Sequence, residues 1–321
     1  MRRALVTGAT GFIGANLARR LLADGHDVHL LTRPGSVTAW RIADLRGHVA
    51  VHDADLTDRD GVERAVAAAR PEWVFHLAVY GAYPWQTDSQ RIFSTDVLGT
   101  VNLLAACARH GAEAFVNTGS SAEYGFKKDA PAETDAADPT SVYGVAKLAA
   151  TLHCRVVARQ HQARISTLRL YSVYGPFEEP RRFIPALVTA GLRGALPPLV
   201  NPDVARDFVY VEDVCDAYVR AAAASEQEAG AVYNVGTGKQ TTIGEAVATA
   251  RDLMQIECDA RFGSLPNRPW DTSVWVCDNR LIRARLGWSP RTSFRDGLRR
   301  TLQWFADRPD FLRLYAVPRA D

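Results

Sequence analysis

The fold is decided by one stretch near the amino terminus, VTGATGFIG, residues 6–14. It follows a short apolar run at 4–6 and precedes a segment in which Ile13, Leu17 and Leu21 recur at the four-residue spacing of a helix. Glycines at a strand-to-helix turn permit a tight turn, a close approach of backbone to a pyrophosphate, and packing of the helix on the strand. The stretch therefore predicts a dinucleotide-binding βαβ unit, although its spacing is G-x-x-G-x-x-G and not G-x-G-x-x-G.

Outward from this stretch, short apolar runs alternate with segments of helical period through the first half of the chain. Such alternation is typical of βαβ units and a parallel sheet. We predict strands at 4–6, 28–31, 49–51, 73–77, 114–117 and 166–170. The predicted fold class is α/β, a Rossmann-type doubly wound parallel sheet with a smaller carboxyl-terminal substrate-binding region.

The pattern changes at about residue 175, where prolines break the chain into loops and short helices. We predict a dinucleotide-binding domain over 1–175 and a mainly substrate-binding region over 176–321. Strand-like runs at 208–211 and 232–235 lie in a segment, 205–240, that is expected to return to the first domain. A capping box formed by Thr242 and Glu245 marks the start of a later helix.

Composition limits the classes of function. The 38 basic and 36 acidic residues of the 321-residue chain are interspersed, so no basic stripe predicts a nucleic-acid partner. No apolar run approaches the roughly 18 residues of a membrane span, and no signal peptide is expected. The five cysteines form no C-x-x-C pair and the eight histidines no ligand spacing. We expect no bound metal and a reducing, cytoplasmic location.

The ends of the second and third strands bear on the choice of cofactor. NAD-binding folds usually place an acidic residue at the end of the second strand, whereas NADP calls for a cation. Here Arg33 follows that strand and could pair with a 2′-phosphate by its planar fork, assisted by Ser36 and Arg41. We therefore predict NADP(H), with NAD(H) left open. Asp55 and Leu56 are predicted to lie beside the adenine, and a helix-capping role for the acidic segment 53–58 is the alternative.

A second group of residues combines a phenol with an ammonium. Tyr143 and Lys147 are four residues apart, which places both on one face of a helix. An adjacent cation favours the phenolate, so the tyrosine can donate or accept a proton near the working pH. Two ordinary surface residues are the alternative. The order of the glycine stretch, then NTGSS (117–121) at a strand end, then the tyrosine helix favours catalysis.

Together these motifs resemble the extended short-chain dehydrogenase/reductases that act on nucleotide sugars, from residue 6 to about 288. The resemblance implies an NAD(P) cofactor, a nucleoside diphosphate sugar substrate and a homodimer that pairs the helix at about 141–162. It implies Ser120, Tyr143 and Lys147 as catalytic residues, Ser120 because it stands four residues before the tyrosine of a Tyr-Gly pair. The implied cofactor contacts near the first and fourth strands are Gly8, Thr10, Gly11, Phe12, Ile13, Gly14, Leu77 and Ala78.

The resemblance also implies where the substrate binds. RDFVYVED (206–213) matches a segment whose arginine reaches the nucleotide diphosphate. RPWD (268–271) matches R-P-G-D, in which the arginine holds phosphate and the aspartate a ribose. The predicted substrate contacts are Tyr80, Ser121, Ser172, Arg206, Arg268 and Asp271. For the neighbouring aromatic residues, a sugar-facing wall and simple loop packing both remain open.

Four positions depart from the family pattern. Ala122 occupies the slot of the glutamate used by sugar-nucleotide 4,6-dehydratases, and Glu123 comes one position too late to replace it. Dehydration is therefore not expected. Asp96 and Ser172 each replace a usual asparagine, and Trp270 replaces the glycine of R-P-G-D.

Two enzymatic hypotheses follow from this set. The first is NADPH-dependent reduction of a nucleotide-linked 4-keto-6-deoxyhexose at C4, with the proton given by Tyr143. In it Lys147 lowers the pKa of the tyrosine, and Ser120 stabilises the developing alkoxide. The alternative is an NAD-dependent nucleotide-sugar 4-epimerase that works through a transient 4-keto sugar. A non-catalytic dinucleotide-sensing protein is the least favoured hypothesis, because it needs no Tyr-Lys pair.

Overall fold

The computed structural model describes residues 1–36, 38–268 and 271–316. Its strands are, in chain order, β1 (Arg3–Thr7), β2 (Asp27–Thr32), β3 (Ala50–Asp53), β4 (Trp73–His76), β5 (Ala114–Ser120), β6 (Ile165–Leu170), β7 (Ser172–Tyr174), β8 (Ala205–Arg206), β9 (Phe208–Tyr210), β10 (Ala231–Val235) and β11 (Thr241–Thr242). The largest sheet has seven parallel strands in the order β10-β6-β5-β4-β1-β2-β3. The predicted doubly wound α/β fold is confirmed.

Helices cover both faces of this sheet and build the carboxyl-terminal part. They are α1 (Phe12–Ala23), α2 (Arg59–Ala69), α3 (Ser89–Phe93), α4 (Gly99–Arg109), α5 (Val142–His161), α6 (Phe183–Gly191), α7 (Val211–Ala223), α8 (Ile243–Met254), α9 (Arg280–Leu286), α10 (Phe294–Ala306) and α11 (Pro309–Ala316). Short 3₁₀ turns lie at Ala39–Leu45 and Ser121–Glu123, and a π-helical turn at Ser94–Leu98 joins α3 to α4. No helix in the described residues is long and apolar enough to cross a membrane.

The core follows from the alternation of side chains along the strands. Leu5 and Val6 are both fully buried, and successive residues of a strand point to opposite faces. Val6 packs in one apolar cluster with Leu17 of α1, and Leu5 packs in a second with Val62 of α2. A third cluster, which includes Trp304, joins α6, α8 and α10. Because both sheet faces are covered, the carboxyl edge of the strands is where a ligand can approach.

Of the strands after β6, β10 joins the edge of the main sheet beside β6, and the other four form two small sheets. β7 pairs with β9 in parallel and β8 pairs with β11 antiparallel. The strand predicted at 208–211 ends at Tyr210, because Val211 begins α7. The capping box at Thr242 and Glu245 is present, with both reciprocal hydrogen bonds formed.

The chain reverses its direction of travel across the sheet at β1. From β1 it runs outward to β2 and β3, and then returns to β4 on the other side. In open α/β sheets, ligands bind outside the carboxyl ends of the strands at such a reversal. The loops after β1 and β4 therefore border the candidate site.

Candidate functional site

The glycine loop between β1 and α1 is packed backbone against backbone. Gly8 has φ +66°, and a Cβ placed there would lie 2.6 Å from the Ala78 nitrogen. A Cβ on Gly14 would lie 2.3 Å from the Gly8 carbonyl oxygen, and the Gly11 N–H donates to that oxygen at 2.9 Å. Only glycine fits at the first and last of these positions. The N–H groups in the first turn of α1 are left for an anion, so this cradle suits a pyrophosphate.

Residues on either side of the cradle hold the loops in place. Phe12 and Ile13 are partly buried and pack on the core below α1. The backbone N–H groups of Leu77 and Ala78, which follow β4, both donate to the Thr7 hydroxyl at 3.2 Å. The ends of β1 and β4 are thereby tied together at the crevice where a dinucleotide is expected.

The segment after β2 contains the residues that are predicted to determine the preference for NADP or NAD. Arg33 is exposed directly after the strand. The Ser36 hydroxyl donates to the Thr10 hydroxyl at 3.1 Å, which joins this segment to the glycine loop. Arg41 does not take part: it is buried, and its Nε donates to the Phe177 carbonyl at 2.7 Å. The prediction that Arg41 assists Arg33 is wrong, because a long-range contact orients it away.

After β3, Asp55 and Leu56 occupy different environments. Burial acts to raise the pKa of Asp55, but hydrogen bonds from the Thr57 N–H and hydroxyl outweigh it and leave the pKa below the usual value. Leu56 is buried, and its carbonyl accepts from the Asn102 amide at 2.9 Å. The cap of α2 is Asp58. Asp55 is therefore an ionised carboxylate that does not cap the helix.

The structure brings the predicted catalytic residues together at the carboxyl end of β5. Ser120 is the last residue of that strand, and its hydroxyl accepts from the Ala122 N–H at 3.1 Å. The Ser120 side chain lies close enough to the Tyr143 phenol to lower its pKa. Ser141 caps the start of α5, which places Tyr143 in its first turn and Lys147, only 4% exposed, one turn later.

Burial dominates the ionisation of the tyrosine. It raises the pKa of Tyr143 well above the usual value, and the nearby Ser120 side chain opposes this rise. The charges of Asp96 and Glu123 raise the pKa further, whereas Arg182 lowers it. The sequence leads us to expect that a nearby cation lowers the pKa of Tyr143 toward the working pH. Taken together, the surrounding protein groups do not lower it. The phenol therefore stays protonated, which is the form from which it can donate a proton.

His76 and Asp96 are buried near Tyr143 and Lys147, and both form hydrogen bonds with neighbouring residues. His76 lies between the Thr7 hydroxyl at 2.8 Å and the Thr100 hydroxyl at 2.9 Å. Burial, and secondarily the charge of Lys147, lowers the pKa of His76 to about 3, so it is neutral. The backbone N–H of Tyr80 donates to Asp96 at 2.8 Å. Tyr80 is thereby fixed at the edge of the site by its main chain.

Glu123 is turned away from the reaction space. It is fully buried, and its carboxylate pairs with the Arg169 Nε at 2.8 Å. It also accepts from the Ser120 N–H at 2.8 Å and from the Thr151 hydroxyl at 3.1 Å. With Ala122 in the neighbouring slot, neither residue supplies the acid that a 4,6-dehydratase uses.

The predicted substrate residues fall into two places. Ser121, which is 7% exposed and follows Ser120 in the chain, lines a small cavity with Tyr171 and Trp275. Ser172 begins β7, and its N–H donates to the Asp207 carbonyl at 3.0 Å. These residues lie on the carboxyl side of β5 and β6, next to Ser120.

The second place is a cluster of arginines around Asp271. Asp271 forms an ion pair with Arg206 and accepts from the Arg268 N–H at 2.8 Å. Burial lowers the pKa of Arg206, Asp271 opposes this, and the charges of Arg182 and Arg268 lower it further. Guanidinium charges that act on one another in this way are suited to binding an anion. Trp270 lies outside the described residues.

Arg182 is a candidate site residue that sequence reasoning missed. Its charge acts on both Tyr143 and Arg206, and its Nε pairs with the Glu178 carboxylate at 3.5 Å. The available signal was the run EEPRR (178–182), a basic pair in the proline-rich loop after β7. In the described part of the chain, no cluster of His, Cys, Asp and Glu could hold a metal ion.

The model of the NAD dependent epimerase/dehydratase family matches residues 4–236. The chain belongs to this family. It is 31% identical to a UDP-glucose 4-epimerase of Mycolicibacterium smegmatis, covering 95% of this chain and 99% of that protein. It is equally 31% identical to a dTDP-glucose 4,6-dehydratase of Streptomyces niveus, covering 95% and 93%. This family member is therefore an extended short-chain dehydrogenase/reductase enzyme with a nicotinamide dinucleotide cofactor.

Among solved structures, the chain resembles the UDP-glucuronic acid 4-epimerase of Bacillus cereus in complex with UDP-glucuronic acid and NAD. The TM-score is 0.84 at 26% identity, over 95% of this chain and 99% of that one. The relatives thus include both epimerases and dehydratases. The choice between epimerisation and dehydration therefore has to be argued from the site residues of this chain.

Proposed function

We propose that this enzyme inverts the C4 hydroxyl of a nucleoside diphosphate hexose through a transient 4-keto sugar, with NAD as its cofactor. The observation that carries this proposal is the proximity of Ser120 to Tyr143, with Lys147 buried one turn later on the same helix and Ala122 in the dehydratase acid slot. Because Glu123 is committed to Arg169, dehydration lacks its acid. Similarity to UDP-sugar 4-epimerases supports the remaining choice.

The residues of the chain divide the work as follows. A nicotinamide dinucleotide held by the glycine cradle supplies reversible hydride transfer at C4. Tyr143 Oη takes the proton of the C4 hydroxyl and later returns it, and Ser120 Oγ donates a hydrogen bond to the same oxygen. The Lys147 ammonium supplies positive charge beside the phenolate. Since burial raises the pKa of Tyr143, this nearby cation is required in the oxidising direction.

The arginine cluster provides the binding of the nucleotide. We assign Arg206, Arg268 and Arg182 to the diphosphate, because guanidinium groups bind phosphate oxygens through paired donors. Asp271 already orients Arg206 and is assigned to a ribose hydroxyl. The remaining predicted contacts, assigned to the sugar, are Tyr80, Ser121 and Ser172.

One observation favours a second candidate, NADPH-dependent reduction of a 4-keto-6-deoxyhexose nucleotide at C4. Arg33 is exposed at the end of β2, where NAD-binding folds usually carry an acidic residue. Ser36, joined to Thr10, stands where a 2′-phosphate would be received. In this candidate Tyr143 gives its proton once and does not need to recover it from the same sugar.

A combined cofactor and turnover experiment separates the candidates. Nucleotides released on denaturing freshly purified protein are identified by mass spectrometry, and the protein is then assayed with UDP-glucose and with dTDP-4-keto-6-deoxyglucose. Retained NAD and inversion of UDP-glucose without net cofactor consumption are the results expected for an epimerase. Stoichiometric oxidation of NADPH by the keto sugar, with no inversion, would refute the epimerase and establish the reductase.

We also propose that the enzyme is a homodimer that pairs α5 with its counterpart. Val145, Leu152 and Val156 on this helix are 42%, 46% and 52% exposed, a set of apolar side chains that a partner helix would cover. The expected molecular mass in solution is twice 35.2 kDa. Leu152→Glu should yield the monomer in sedimentation, and a monomeric parent protein would refute the pairing. Free thiols at all five cysteines fit our proposal of a reducing, cytoplasmic location.

A further inference from the structure

Asp96 is a buried carboxylate that the proposed mechanism does not use. It lies in the π-helical turn Ser94–Leu98 and is 1% exposed. Its Oδ1 accepts from the Tyr80 N–H, whereas its buried Oδ2 has no hydrogen-bond partner. A buried polar atom left without a partner destabilises the folded protein, and it does so more strongly when the group is charged. Such an atom calls for a function that compensates for this destabilisation.

The neighbours of Asp96 place it in the active site. The π-helical turn packs on α5, and the Lys147 charge acts on Asp96. Among the described residues the two groups form no ion pair within 4 Å, so they interact at longer range. From the other side, the Thr100 hydroxyl donates to the Asp96 carbonyl at 2.6 Å and links it to neutral His76.

The charge of Asp96 reaches the reacting proton. Its charge acts on the Tyr143 phenol, and so does the charge of Glu123. Glu123 is held by Arg169 and is fully buried in that pair, whereas the Oδ2 of Asp96 is unpartnered. Other groups that act on the phenol are Ser120, Arg182 and Tyr218, and Lys147 lies one turn later on α5. Asp96 is thus the carboxylate near Tyr143 whose charge is free to change.

We propose that Asp96 is a positioning residue that gains and loses a proton beside Lys147 and thereby tunes proton transfer at Tyr143. This proposal rests on the proposed function, in which Tyr143 must both lose and recover a proton. Burial raises the pKa of Asp96 to about 6, with Lys147 and the Tyr80 N–H opposing the rise. Above that pH the carboxylate disfavours the phenolate, and below it the neutral acid does not.

The test compares the wild-type enzyme with Asp96→Asn, which keeps the oxygen that accepts from Tyr80 and removes the charge. The pH profile of kcat/KM is measured with UDP-glucose on NAD-loaded protein. Removal of the negative charge should move the acidic limb of the profile to lower pH by on the order of one unit. Glu113→Gln, at an exposed surface position before β5, is the control and should leave the profile unchanged. Superimposable profiles for Asp96→Asn and wild type would overturn the proposal.

An infrared pH titration provides a readout that needs no sugar. In wild-type protein with isotope-labelled aspartate, the stretching band of a protonated carboxyl should disappear with a midpoint near pH 6. The band should be missing in Asp96→Asn, or in Asp96→Thr if the asparagine variant does not fold. The label distinguishes Asp96 from Glu178, whose pKa is raised by burial to about 8.

These two readouts separate the possible failures. Absence of a titrating aspartate band overturns the role of Asp96, whatever the turnover. A titrating band in an enzyme that inverts no nucleotide sugar supports Asp96 as the proton-holding group and contradicts the proposed function alone.

Discussion

The cofactor half and the nucleotide half of the candidate site are built by different means. In the first, backbone atoms meet backbone atoms, as where a Cβ on Gly14 would lie 2.3 Å from the Gly8 oxygen. In the second, side chains meet side chains, as where Asp271 pairs with Arg206. A backbone cradle has one shape and little freedom, whereas a side-chain cluster can rearrange around its ligand.

This contrast explains how one fold serves several substrates. The glycine cradle permits almost no substitution, since nearly any side chain would displace the loop. The arginine cluster tolerates changes in position and number, because each guanidinium contributes part of the binding of an anion. Specificity for the sugar nucleotide can therefore change while the cofactor half stays the same. The following predictions test this division, starting with the largest effect.

Tyr143→Phe lies between the two halves and should affect neither binding step. Removal of the phenol takes away the proton donor and acceptor, so turnover should fall about 10³-fold, within the range for general acid–base catalysis. Cofactor affinity, measured by titration calorimetry, should stay within about twofold of wild type. Tyr210→Phe, in the carboxyl-terminal core, is the control that should retain turnover. Full turnover by Tyr143→Phe would refute both enzymatic candidates.

Gly14→Ala tests the claim that the cofactor half is set by backbone contacts. The new Cβ would lie 2.3 Å from the Gly8 oxygen, which forces the loop and α1 apart. We expect at least a hundredfold loss of cofactor affinity, together with about 1–3 kcal/mol less stability to urea. Gly47→Ala is the matched control, because its Cβ would meet nothing within 4 Å. Equal cofactor affinity and equal stability of the two variants would show that the glycine loop can accommodate a Cβ at position 14.

Arg206→Gln tests the side-chain half. Loss of one charged donor should weaken binding of the diphosphate by about 2 kcal/mol, which raises the KM for the sugar nucleotide about thirtyfold. Cofactor affinity should not change, since Arg206 lies in the arginine cluster and not at the cradle. Arg193→Gln, at an exposed position after α6, is the control. A fall in kcat with an unchanged KM would place Arg206 outside the diphosphate site.

The sequence predicts features that depend on residues a few positions apart, and it does not predict contacts between distant residues. The β1 loop and the Tyr143–Lys147 pair were predictable, because glycine geometry and helical spacing act over a few residues. Arg41 was wrongly assigned, since its partner Phe177 is 136 residues away in the chain. The influence of Arg182 on Tyr143 likewise arises only after folding.

The spacing of residues in the sequence also does not predict how deeply a side chain is buried. The pKa of Tyr143 was expected to fall because of a nearby cation, whereas burial raises it. The unpartnered oxygen of Asp96 had no sequence signal beyond the replacement of an asparagine. The π-helical turn at Ser94–Leu98 was also missed, because it interrupts a segment whose apolar spacing fits a continuous helix.

Arg33→Ser tests an exposed side chain of the cofactor half and should have the smallest effect. An exposed guanidinium contributes modestly to an anion site, so the variant should shift the ratio of NADP to NAD affinity by about tenfold toward NAD, or about 1.4 kcal/mol. Fluorescence titration with NADH and NADPH measures this ratio directly. Arg46→Ser, also exposed, is the control. An unchanged ratio would mean that Arg33 does not reach the 2′-phosphate, and cofactor choice would then depend on the backbone cradle and Asp55 alone.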